Sequence, residues 1–279
     1  MKAASYHHSG IAILRPILGV SKSSVLATCR QNNWFWVEDS SNRSLKYTRN
    51  SLRHTLAHEV PATLPLLAEL FKTAKIISQS IEEKSFLLLS SISMIWECGA
   101  FTMTRKEFAS WSQDQRISQV YALKQALQWI SREPHSVKLQ ACEDLLRFME
   151  NLLPGKCFSI GGCLVQQSKE GFTFLRSFED VKPVLFEQSE ILEFDKRWRV
   201  RFSATTGKPI ELQYCNQSLW PLLKRNPLFS SILQSSSLPP ILLRCLLVIR
   251  VKETQEILGL PQLGVHSPGV SSVCTYVWR

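Results

Sequence analysis

The sequence predicts an α/β edge at the N-terminus, a mainly helical region after it, and a small α+β region at the C-terminus. Three observations carry this. Two apolar runs flank a capped helix between residues 10 and 37, an apolar repeat at three- and four-residue steps fills Pro61 to Trp96, and Trp198, Val200 and Phe202 alternate with arginines. The expected segments are 1–58, 59–178 and 179–279.

In the first segment, GIAILRPIL (10–18) predicts a short buried strand stopped at Arg15-Pro16. Ser21 is placed to cap a helix running to Asn32, with Val25, Leu26 and Cys29 on one face. Trp34-Phe35-Trp36-Val37 predicts a second strand. Two strands and a helix cannot cover both faces of a sheet, so this edge is expected to need strands from elsewhere.

Leu64, Leu67, Leu70, Phe71, Ala74, Ile77 and Ile81 mark the long helical pattern, and Phe86 to Ile95 extends it. Further helices are expected over Asp114 to Ser131 and Ser136 to Leu152, separated by Pro134 and closed by Pro154-Gly155. Cys157 to Gln166 and Phe172 to Ser177 read as paired strands. In EFDKRWRVRFSA (193–204) the alternation predicts a half-buried strand with Arg197, Arg199 and Arg201 outward. Ser230 to Pro240 reads as a linker, and the chain from Gly259 onward as irregular. Trp34, Trp36, Trp96, Trp111 and Trp129 fall on apolar stripes and are expected in cores.

Composition narrows the function classes. The chain has 279 residues, 44% of them hydrophobic, and 33 Lys+Arg against 23 Asp+Glu give a net charge of +10, which suits a polyanionic partner. Eight cysteines are scattered without a CxxC pair, and His54 and His58 lack the glutamate of an HExxH helix, so no structural zinc is expected. No apolar run approaches the ~20 residues that cross a bilayer. No membrane partner and a cytoplasmic location are therefore expected.

The densest chemistry lies in WVEDSSNRSLKYTRNSLRHTL (36–56). Asp39, Ser40, Ser41 and Asn42 supply turn and cap acceptors, and a helix is expected to start between Ser44 and Tyr47. On that helix Arg49 and Arg53 share a face with Asn50, while Leu45, Leu52 and Leu56 turn inward. Two guanidinium forks and an amide suit phosphate or RNA backbone. The same pattern also fits a solvated face with Asp39 paired to Arg49 or Arg53.

The order Arg15-Pro16-Ile17-Leu18, Lys22, Trp36-Val37-Glu38-Asp39, Ser41-Asn42, Tyr47, Arg49-Asn50 and Arg53-His54 resembles the tRNA(Ile)-lysidine synthetase family. Residues 134–177, with their Gly161-Gly162-Cys163 turn, and the ILEFDKRWRVRF and GLPQLG segments echo it more loosely. The resemblance implies that the first segment is the end of a PP-loop, Rossmann-like domain. It also implies an ATP- and Mg2+-dependent ligase that adenylates the C2 oxygen of the wobble cytidine in isoleucine tRNA and lets the amine of free lysine displace AMP. By the same resemblance Asp39, Asn42, Arg49, Asn50 and Arg53 border the substrate cleft, with Arg15, Lys22 and Lys46 as secondary basic positions. Within it Arg49 and Arg53 are expected to steady phosphate, Asp39 to orient an arginine or the lysine amine, and Asn42 with Asn50 to tie the turn to the helix.

The family's SGGxDS loop, whose glycines wrap ATP phosphates, does not occur in this sequence. The one Gly-Gly pair, Gly161-Gly162, reads as a hairpin turn, and His7-His8 lacks the family's surrounding pattern. The chain alone is therefore expected to bind no ATP, to contain no confident catalytic residue, and to need a separate PP-loop polypeptide, as the product of a split gene, a late start or a decayed copy. The competing expectation is a stand-alone tRNA- or protein-binding module without catalysis.

Overall fold

The computed structural model describes residues 4–6, 11–58, 64–90, 94–111, 113–132, 137–151, 153–178, 181–186, 191–204, 208–235 and 238–277. His7-His8, Pro61, Pro134, Ser136 and Leu152 lie outside them. Two compact units, Met1–Ser80 and Ile81–Arg279, make up the chain.

In the first unit β1 (Ala4–Tyr6) pairs antiparallel with β2 (Ala12–Leu14). Arg15 Nη1 donates to Ser5 Oγ across the ribbon at 2.9 Å. The β2 strand is where the sequence places it but is not buried, since Leu14 is 71% exposed. Helix α1 (Lys22–Gln31) follows its expected cap: Ser21 Oγ accepts from the Ser24 N–H at 3.1 Å. Val25, Leu26 and Cys29 form its half-buried stripe.

The expected strand over Trp34–Val37 is not present. The Trp34 N–H turns back to the Cys29 carbonyl at 2.9 Å and finishes the helix, and no described strand offers residues 34–37 a ladder. All four side chains are exposed, Phe35 at 91%, so the core assignment of Trp34 and Trp36 is corrected with the strand. Beyond a 3-10 turn at Ser40–Arg43, α2 covers Thr48–His58. It starts just past the expected window because the Tyr47 carbonyl accepts the first helical N–H groups, from Asn50 and Ser51. Leu45 and Leu52 are exposed rather than inward, and Leu56 is half-buried.

Helix α3 (Leu64–Ser90) leaves Leu66, Leu70, Phe71 and Ile77 exposed along its first part. In its last turns Ser85 is buried and donates to the Ser118 carbonyl at 3.0 Å, and Leu88 and Leu89 pack on a core. The helix ends at Ser90, and Met94–Ile95 form strand β3 rather than prolonging it.

The second unit starts from an antiparallel sheet in the order β3-β4-β7-β6-β5, with β4 at Phe101–Thr104, β5 at Cys157–Ile160, β6 at Cys163–Gln167 and β7 at Gly171–Arg176. A short α4 (Arg105–Ala109) opens with a Thr104–Glu107 capping box. Helices α5 (Arg116–Ser131) and α6 (Leu139–Glu150) then cover the sheet with Leu123, Leu127, Ile130, Leu145 and Leu146. Gly161 and Gly162, at φ 54° and 73°, make the two-residue turn between β5 and β6.

The remaining strands form two stacked sheets. One is β15-β10-β9, with β9 at Ile191–Phe194, β10 at Trp198–Ala204 and β15 at Val270–Tyr276. The other is β14-β13-β12-β11-β8, with β8 at Val184–Phe186, β11 at Ile210–Tyr214, β12 at Leu247–Val251, β13 at Ile257–Leu260 and β14 at Val265–His266. Trp198, Val200 and Phe202 meet Ile210, Leu212 and Ile249 between them. The expected linker at Ser230–Pro240 is instead largely helix: α7 (Trp220–Arg225) is followed by α8 (Pro227–Ser235), whose Phe229 and Leu233 enter a core that outweighs the serine content. The expected irregular tail contains β13, β14 and β15, and β15 pairs with β10 along its whole length, from Val270↔Ala204 to Tyr276↔Trp198.

Candidate functional site

The turn and helix of residues 39–53 are organised by two side chains. Asp39 accepts the Ser41 N–H at 2.8 Å, and the Ser41 hydroxyl and N–H hold its carboxyl below the ordinary carboxylate value. Asn50 reaches back from the first turn of α2 and donates its amide to the Ser41 carbonyl at 2.9 Å and the Ser44 carbonyl at 3.0 Å. The same carbonyls accept the backbone N–H groups of Ser44 at 3.1 Å and Tyr47 at 3.5 Å, so the amide adds a second bond to each and ties the turn to the helix.

With Asn50 turned inward, Arg49 and Arg53 project one helical turn apart on the exposed side of α2. They form no ion pair with any described residue, and Asp39 is engaged with Ser41 instead. Lys46 and Lys22 are exposed, Asn42 is exposed with its N–H on the Asp39 carbonyl, and Arg15 is tied to Ser5. The geometry thus brings Asp39, Ser41, Ser44 and Asn50 into one hydrogen-bonded knot. Beside it, Arg30 lies 6.0 Å from the Trp36 ring, in an open hollow lined also by Trp34, Phe35 and Glu38.

The comparisons with known proteins concern this region first. A family model described as PP-loop domain matches residues 1–60. A tRNA(Ile)-lysidine synthase from Rickettsia bellii (strain OSU 85-389) is 26% identical over 205 residues, 73% of this chain and 46% of that protein. The chain is similar to tRNA(Ile)-lysidine synthases. Its homologues of that name also include one from Azoarcus sp. (strain BH72), 32% identical over 35% of this chain and 21% of the relative, and one from Vibrio campbellii, 27% identical over 40% and 25%. The chain spans about half the length of the Rickettsia relatives it matches.

A phosphate cradle needs open backbone N–H groups, and the Gly161-Gly162 pair does not supply one. Gly161-Gly162 is a closed turn in which a Cβ on Gly161 would lie 2.4 Å from Val137 Cγ2. Nor do three His, Cys, Asp or Glu side chains cluster anywhere among the described residues in a way that could hold a metal ion. No described helix is long and apolar enough to cross a membrane.

A second polar cluster, in the second unit, runs against the sequence reading. Arg197 is expected outward but is fully buried. Asp195 and Lys196, both at positive φ, form the β9–β10 turn and displace Arg197 from the strand's alternation. Its Nη2 donates to the Gly99 carbonyl at 2.6 Å and Nη1 approaches the Tyr214 hydroxyl at 3.4 Å. Burial opposes its charge, but Tyr214, Tyr276 and Asp195 outweigh burial and move its pKa upward. Arg176 grips Asp195 with two bonds of 3.0 Å, and Tyr214 donates to the same carboxylate at 2.8 Å. The αL-prone Asp before Lys196 was the available signal for this turn.

Proposed function

We propose that this chain is a portion of a tRNA(Ile)-lysidine synthetase, the ligase that joins lysine to C2 of the wobble cytidine of isoleucine tRNA. The family relationship supports the tRNA substrate. The observation that carries the reading is the Asn50 clamp, which leaves Arg49 and Arg53 unpaired among the described residues and directed outward within the PP-loop match.

In this reading Arg49 and Arg53 hold tRNA phosphate, each guanidinium offering a planar fork that a lysine lacks. Asp39 and Asn50 position them: the Asp39 carboxylate sets the turn, and the Asn50 amide locks the turn to the helix. Lys22 and Lys46 add charge along the same path. The ATP-dependent half of the reaction is assigned to no residue of this chain, and a polypeptide carrying an SGGxDS loop completes the enzyme.

The test is a shift assay with isoleucine tRNA across a salt series, beside a lysine-transfer assay with and without such a polypeptide. Arg49→Ala and Arg53→Ala each weaken binding and lower the salt slope by about 1. Lysine transfer appears only in the complemented reaction. Clear turnover by the isolated chain, or unchanged salt-dependent affinity in both variants, overturns the assignment.

A further inference from the structure

The second unit holds a recess of about 330 Å³ lined by Trp96, Trp129, Trp198 and Tyr276, with Glu97 and Gln262 among its polar groups. Its aromatic walls are held in place. Trp96 Nε1 donates to Thr102 Oγ1 at 3.3 Å, the Tyr276 hydroxyl donates to the Trp129 carbonyl at 3.2 Å, and Trp198 Nε1 donates to the Tyr214 hydroxyl at 3.3 Å. Trp129 lies 5.4 Å from Tyr276 at 34°, and Trp198 meets Tyr276 edge-on at 4.9 Å. Trp96, Trp129 and Tyr276 are only half-buried, so aromatic surface is open to a ligand.

Four aromatic rings with one carboxylate resemble a cage for an ammonium ion, but the local charge argues against one. The guanidinium carbons of Arg197 and Arg132 already sit 5.5 and 5.6 Å from the Tyr276 ring centre, and Arg197 is 5.9 Å from Trp198. A third cation would meet two arginines, and of the lining groups only Glu97 carries a carboxylate to offset it. A flat, neutral ring carrying a phosphate meets the opposite situation. Its face stacks on indole, its edge reaches the polar groups, and its phosphate enters a cationic field.

We propose that this recess binds a nucleobase, either an unpaired base of RNA or the base of a free nucleotide. The RNA form rests on the tRNA reading above; the nucleotide form does not. Gly99 shows how closely the site is built. It lies in the Trp96–Ala100 turn at φ 72°, and a Cβ there would fall 2.3 Å from Arg197 Nη2 and 2.7 Å from Tyr276 Cε2.

The test titrates the full chain with three probes: a single-stranded RNA of about ten residues, an abasic strand of the same length and charge, and adenosine monophosphate. Tryptophan fluorescence and calorimetry report binding. The base-bearing strand binds about tenfold tighter than the abasic one, and Trp96→Leu and Trp129→Leu each remove most of that difference while leaving abasic binding unchanged. Base-dependent binding without any response to the mononucleotide identifies RNA as the source, and competition by the mononucleotide identifies the free ligand. Equal affinity for the two strands with no response to the mononucleotide overturns the proposal, and needs no variant to fold. A preference retained in both variants overturns it as well. Isoleucine tRNA is titrated in parallel: tRNA binding without base preference sinks the recess alone, and mononucleotide binding without tRNA binding sinks the tRNA reading alone.

Discussion

The two units differ in how much of their side-chain surface they bury. Among the described residues of 1–80 none is buried, whereas residues 81–279 contain three cores built from aromatic and aliphatic side chains. The first unit nevertheless carries the densest motif. Local hydrogen bonds, such as the Asn50 clamp spanning nine residues, hold its shape with little hydrophobic support. The second unit has a looser motif and a self-sufficient interior. The densest motif and the buried cores are here carried by different parts of one chain.

The sharpest way to break that contrast is Asp195→Ala. It strands Arg176, whose partner carboxylate is as deeply buried as Arg176 itself, and the loss of one member of such a pair costs about 3–5 kcal/mol. Urea denaturation followed by near-UV dichroism of the full chain should show the midpoint of the second unit fall by a corresponding amount. A midpoint unchanged within error would mean that the Arg176–Asp195 network does not support this interior. Gly99→Ala comes next: the left-handed backbone and the Cβ contacts at 2.3 and 2.7 Å together should cost about 2 kcal/mol in the same experiment.

Changes in the first unit should be smaller and confined. Asn50→Ala removes the donor to two turn carbonyls and should cost about 1 kcal/mol locally. Amide exchange over residues 40–56 should quicken while protection in α5 and α6 is unaltered. Spread of the effect to those helices would remove the distinction between the units. Smallest is a pH effect at Asp39. Its carboxyl has a lower pKa folded than unfolded, so its contribution is present above the ordinary value of 3.8 and is lost as pH falls through the lowered folded value. Exchange at Ser41 should therefore rise only at the acid end, and a rise between pH 5 and 8 would point to a different group.

What could be read without coordinates followed local rules. Ser21 caps α1 because its hydroxyl and the Ser24 N–H are neighbours in the chain, and Gly161-Gly162 turns because both residues adopt positive φ. Val200 and Phe202 alternate inward because strand geometry allows nothing else. The failures depended on distant partners. Trp34–Val37 has strand composition but no described strand beside it, while Val270–Tyr276 has a serine-rich composition and becomes a strand because β10 lies alongside. Phe229 and Leu233 were masked by the serines around them. In the candidate site the outward Arg49 and Arg53 were legible from helical spacing, and the expected tie of turn to helix by Asn42 with Asn50 is made by the Asn50 side chain, whose acceptors at Ser41 and Ser44 the spacing did not identify. Arg197 was misplaced because two left-handed residues shift the alternation before the strand begins.

The contacts of Arg197 with Gly99 and of Tyr276 with Trp129 join positions 98 and 147 residues apart. Such long loops must close before their interactions can reward the chain, so the second unit should fold slowly for its size. A nascent polypeptide would hold unpaired strand edges and bare tryptophan faces throughout that delay. Efficient recovery of this protein should therefore depend more on temperature and chaperone supply during synthesis than on the stability finally reached.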